Sequence, residues 1–96
     1  MSIEMRYDTT QYHSRRAFIE QALDPEATVR EAVRRGEWTV ANAYEEAQEF
    51  LVAAIALDSD RDVSEDASWR MGGRLTVEDV AVYILALIAE EAPDAV

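Results

Sequence analysis

The ten residues from Val80 to Ala89 carry no polar group other than the Tyr83 hydroxyl. A bilayer span needs about twenty apolar residues, so this run reads as a helix buried inside a protein. Its start is marked by Thr76-Val77-Glu78-Asp79, a capping-box spacing, with Leu75 and Val80 placed for a hydrophobic staple across the cap. Asp79 stands where Glu or Gln is usual and so has a shorter reach. Pro93 lies just past the end. A helix that is apolar on every side must be surrounded, either as the central core helix or within a homodimer interface. The rest of the chain therefore has to supply the elements that cover it.

Three further helices are legible. Asp8-Thr9-Thr10-Gln11 has the spacing of a capping box and predicts a helix to about Ala22, turning Tyr12, Phe18, Ile19 and Leu23 toward the core. Asp24-Pro25-Glu26 then reads as a stop and restart, with Asp24 as cap and Pro25 in the first turn, where its missing N–H has no partner to lose. This short helix has Val29, Ala32 and Val33 as its stripe, Arg34 and Arg35 at its end, and Gly36 as terminator. The longest helix is expected from Thr39, as cap, to about Leu57, because Val40, Ala43, Tyr44, Ala47, Leu51, Ala54 and Ile55 recur at three and four residues. Phe50 and Leu57 widen that stripe.

Strand signals are weaker. Ile3, Met5 and Tyr7 alternate with Glu4 and Arg6, as an edge strand or extended arm would. Gly72-Gly73 suits either a two-residue hairpin turn or an irregular connection into the last helix. The expected fold is thus all-α, a small bundle of about four helices, with a short N-terminal strand or a hairpin near 69-75 as its β component. No linker-like run divides the 96 residues, so 1-96 is expected to form one acidic helical domain.

Twenty acidic residues against nine basic ones give a formal charge of -11, and every basic residue is Arg. Genomic base composition or selection for an acidic surface at high ionic strength would each produce this pattern. Either way, the field repels nucleic-acid phosphates and anionic membranes and attracts basic protein surfaces. Absence of Cys removes disulfides, thiolate metal sites and cysteine nucleophiles, and with no export signal the cytoplasm is the expected location.

Chemistry-bearing motifs fail on inspection. Asp58-Ser59-Asp60-Arg61-Asp62 has carboxylates at positions 1, 3 and 5 of a calcium-binding EF-hand, but Val63 stands where the sharp turn needs Gly and Trp69 where the bidentate Glu belongs. A solvated acidic loop is the simpler expectation. His13 is the single histidine, and Ser14 beside it points about 100° away on a helix, so no nucleophile and base pair up. No catalytic residue, metal ligand or cofactor is expected. Arg15-Arg16 and Arg34-Arg35 are more simply salt-bridge partners than a nucleic-acid surface, since a dedicated binder normally has a continuous basic patch.

What remains is interaction. Glu45, Glu46 and Glu49 form an acidic band on the long helix, which Glu20, Glu26 and Glu31 could enlarge. Trp38 and Trp69 sit at element boundaries, and Arg70 beside Trp69 could complete an aromatic and Arg anchor of the kind that dominates interfaces. Tyr44 and Tyr83 are expected in the core. The expected function is a non-enzymatic protein-binding or regulatory module docking on a basic surface of a partner protein, with homodimerisation credible and no direct nucleic-acid or membrane binding. The alternatives are a nucleic-acid-mimicking inhibitor of a DNA- or RNA-binding protein, and a small enzyme with a carboxylate-based site.

Overall fold

A computed structural model of the chain describes residues 3–8, 12–60 and 72–95. Among these residues four helices and two short strands surround one hydrophobic core. Strand β1 is Glu4–Asp8 and strand β2 is Gly72–Thr76. They pair antiparallel with Met5 opposite Leu75, and both of those side chains are buried. On the other face Glu4 accepts from the Arg74 guanidinium at 2.9 Å, a diagonal cross-strand pair. Gly72 and Gly73 are therefore strand residues opposite Asp8 and Tyr7, and not a local hairpin turn. The strand at the N-terminus and the glycine-bearing segment are two halves of one sheet. Trp69, Arg70 and Met71 lie outside the described residues.

Helix α1 begins at Arg15, later than the sequence suggests, because the Ser14 hydroxyl accepts from the Ala17 N–H at 3.1 Å and supplies the cap. Asp8 belongs to β1, and Thr9, Thr10 and Gln11 of the expected capping box lie outside the described residues. α1 spans Arg15–Phe18 and runs without a break into a π turn, Ile19–Leu23, closed by the Asp24 N–H donating to the Ile19 carbonyl at 2.8 Å. Phe18 and Ile19 are buried, while Tyr12 and Leu23 pack partly buried against the core.

Helix α2 is Thr28–Arg34, so Pro25 and Glu26 occupy the turn before it and not its first turn. Its N-cap position is Ala27, whose φ of 56° is uncommon for a residue with a Cβ and whose side chain has no oxygen to offer the helix. Asp24 reaches over the turn instead, its carboxylate accepting from the N–H groups of Thr28 at 2.8 Å and Val29 at 3.2 Å. Gly36, with φ 77°, ends the helix in the expected way. Its N–H donates to the Val33 carbonyl and that of Glu37 to the Ala32 carbonyl, the paired bonds of a Schellman motif.

Helix α3 is Ala43–Asp60. Thr39 does not cap it. The Thr39 N–H donates to Asn42 Oδ1 at 2.7 Å and the Asn42 N–H returns to the Thr39 carbonyl at 3.2 Å, so 39–42 close as a turn and Asn42 supplies the first helical acceptor, to Glu46 N–H. The late start fixes the helix by Ala43, Ala47, Leu51 and Ala54, which are buried. Tyr44 is 54% exposed and Val40 is 48% exposed, so neither is the core residue that the periodicity suggests. Asp58, Ser59 and Asp60 continue α3 as helix and not as loop; the rest of the calcium-loop candidate lies outside the described residues.

Helix α4, Val77–Glu91, is the central element: α1, α2, α3 and β2 all contact it. Its capping box is complete despite the shorter Asp, with Thr76 N–H donating to Asp79 Oδ2 at 2.9 Å and Asp79 N–H donating to Thr76 Oγ1 at 3.4 Å. Leu75 and Val80, the staple pair, are fully buried. The helix is not enclosed on every side, however. Val82 is 65% exposed and Leu85 and Ala89 are also exposed, because neighbours cover three sides of the cylinder and leave one strip open. None of the described helices is long and apolar enough to cross a membrane.

Candidate functional site

Charge is distributed in two different ways over the molecule. On the side built from α1, α2, the sheet and the end of α4, arginines and carboxylates neutralise one another. Glu90 and Glu91 close α4 at the end where the helix dipole disfavours negative charge. Arg16 compensates Glu90 at 2.7 Å and also holds Glu20 at 2.9 Å. Arg30 and Arg34 both donate to Glu91, Arg34 through Nε at 2.8 Å and Arg30 in a closer contact. Hydrogen bonding to Arg34 and then Arg30 holds the Glu91 carboxyl below the ordinary glutamate range. Arg34 also reaches Glu31 at 3.2 Å, Arg15 lies 3.4 Å from Asp79, and Arg35 and Glu37 are 3.9 Å apart. The two arginine doublets thus act as the salt-bridge partners expected from the sequence.

Beneath this clasp lies the one buried charged residue among the described positions, Asp24, 4% exposed. Besides the two N–H groups of α2 it receives the Thr28 hydroxyl and, at 3.4 Å, the Tyr83 hydroxyl from α4. Burial, and then the nearby Asp24 charge, push the Tyr83 phenol well above its ordinary pKa. Tyr83 therefore remains a neutral donor. The cluster joins the end of the π turn to α2 and α4, with its polar atoms satisfied.

Helix α3 is arranged differently. Between Arg35 and Arg61 the chain has no basic residue. With Ala43, Ala47, Leu51 and Ala54 turned inward, helical geometry directs Glu45, Gln48, Glu49, Val52, Ala53 and Ala56 to the opposite side, where they line a shallow depression along the helix. Glu45 and Glu49 are exposed, Glu46 is half-buried beside them, and none of the three makes an ion pair among the described residues. Val52 is 50% exposed. The face thus has an acidic end toward the helix N-terminus and an apolar end of small residues.

The structure brings together only part of the sequence-derived set. Glu45, Glu46 and Glu49 share one helix, as expected. Glu20 and Glu31 sit on the arginine-rich side and are engaged there, and Glu26 is exposed in the turn before α2. Trp38 is half-buried, its ring edge-to-face with Phe50 at 6.4 Å, so much of it belongs to the packing at the root of α3. Trp69 and Arg70 lie outside the described residues. Sequence reasoning missed the apolar half of the face, Val52, Ala53 and Ala56; the signal for it is the same helical period, read on the side opposite Ala43, Ala47, Leu51 and Ala54. Among the described residues no group of three or more His, Asp or Glu side chains is placed to hold a metal ion. No protein-family model matches the chain, and comparison with curated proteins and with solved structures gives no match.

Proposed function

We propose that this protein is a non-enzymatic binding or regulatory module, acting in the cytoplasm, that docks the outer face of α3 on a basic surface of a partner protein. The observation that carries this reading is the contrast in ion pairing. Each of Arg15, Arg16, Arg30, Arg34, Arg35 and Arg74 has a carboxylate within 4 Å, whereas Glu45, Glu46 and Glu49 have no cation among the described residues. Glu45 and Glu49, four residues apart on one face, repel each other and mildly destabilise the helix, which a basic partner would reverse. Exposed Val52 beside them offers apolar area at the same place.

The test is affinity capture with the full chain as bait, at low and moderate salt with nuclease present, against a Glu45→Gln/Glu46→Gln/Glu49→Gln bait and a Glu26→Gln/Glu31→Gln control. A stoichiometric partner that is held by the wild type and the control, lost with the triple variant, and weakened by salt supports the docking reading. Retention by the triple variant sinks it. If the partner is a nucleic-acid-binding protein and DNA or RNA displaces it, the narrower form, nucleic-acid mimicry, takes over.

A further inference from the structure

We propose that the partner element seated on the outer face of α3 is an amphipathic helix lying along it, with its basic residues over Glu45 and Glu49 and its apolar residues over Val52, Ala53 and Ala56; this rests on the docking reading above. The polarity follows from the order of residues along the face. From Glu45 to Ala56 the helix advances about 16 Å at 1.5 Å per residue, so a partner must change from charged to apolar within about three turns. The occupant's charge follows by complementarity, because the acidic end has no cation of its own among the described residues.

Its secondary structure follows from hydrogen bonding. The flank of a helix exposes no row of unpaired N–H and C=O groups, so a strand laid there would have nothing to pair with along its edge. A helix satisfies its own backbone and presents only side chains. The small side chains of Ala53 and Ala56, exposed and one turn apart, let such a helix approach closely at its apolar end. Val52 then meets the partner's apolar residues. A second copy of this chain is a poor occupant, since its formal charge is also -11.

Two helical peptides of identical composition and about four turns distinguish the possibilities. One carries paired arginines at one end and leucines two turns further along the same face, and the other scatters the same residues round the helix. Fluorescence anisotropy with the full-length protein is expected to show the segregated peptide binding about tenfold more tightly. Ala53→Trp, which fills the close approach without changing charge, should remove that advantage while leaving the helical circular dichroism intact. Equal affinity for both peptides, an advantage that survives Ala53→Trp, or sedimentation showing that the apolar end is covered by a second copy overturns the helix proposal, while docking through the carboxylates could stand. If neither peptide binds, or if Glu45→Gln/Glu49→Gln changes nothing, the helix proposal and the docking reading fall together.

Discussion

The two sides of this molecule use carboxylates in opposite ways. Around the end of α4, Glu90 and Glu91 stand at the unfavourable end of a helix dipole but are held by Arg16, Arg30 and Arg34, which brings α1 and α2 against the central helix. On α3, Glu45 and Glu46 stand in the first turn, the favourable end of their own helix, with Glu49 one turn further on, and none of the three has a cation among the described residues. Net acidity is therefore no guide to the role of a given residue. Removing an acid from the first side should cost stability, and removing one from the second should restore some.

The largest effect is expected at Asp24. Asp24→Ala leaves the N–H groups of Thr28 and Val29 and the Tyr83 hydroxyl without their acceptor, and should lower unfolding free energy by about 3 kcal/mol in urea titrations. Asp24→Asn, which keeps an acceptor, should cost less; equal losses for the two would mean that the hydrogen bonds are not what joins the helices.

Glu91 gives the comparison a pH dependence. Its folded-state pKa is depressed by Arg34 and Arg30, so the stability it contributes is fully present above the ordinary glutamate value of 4.5 and is lost as pH falls through the lower folded value. Urea midpoints measured from pH 7 downward should fall less steeply below that value in Glu91→Gln than in the wild type. Parallel curves would show that the clasp contributes nothing to acid sensitivity.

A smaller and mirrored pair tests the joints on either side of α2. Gly36→Ala places a Cβ at φ 77°, and although nothing lies within 4 Å of it, the backbone preference alone should cost about 1 kcal/mol. Ala27→Gly relieves the same kind of strain at φ 56° and should gain up to about 1 kcal/mol by thermal or urea unfolding. The smallest effect separates the two sides most cleanly: Glu49→Gln, which removes the repulsion and leaves Glu45 at the favourable end of the helix, should raise stability by about 0.3 kcal/mol, whereas Glu31→Gln, which loses Arg34, should not raise it.

Signals contained within a few residues were legible in the sequence. Thr76 with Asp79, and Gly36, state their role locally, and the structure places them accordingly; the apolar run of α4 is central as expected but leaves Val82, Leu85 and Ala89 exposed. What depended on distant partners was not. Gly72 and Gly73 resemble a turn until β1 is seen beside them, and the capping spacing of Asp8 loses to a strand pairing that no neighbouring residue announces. Val40 and Tyr44 share the period of the buried line, but Val40 lies in the turn before α3 and Tyr44 in its first turn, and both are exposed. Within the candidate site, the acidic band was visible as a helical spacing. The exposure of Val52 was not, because a stripe and its flank differ only by where the period begins.

The pairing of β1 with β2 also dictates an order of events when the chain is synthesised. Glu4–Asp8 leaves the ribosome before the helices that follow it, yet its hydrogen-bonding partners are Gly72–Thr76. The strand must therefore wait, unpaired, until β2 has been made, and α1, α2 and α3 wait longer still for α4, the helix they pack against. Closing so long a loop carries an entropic penalty that grows slowly with length but has to be met before any strand contact rewards it. The sheet thus closes only after α1, α2 and α3, which lie between its two strands, have been made.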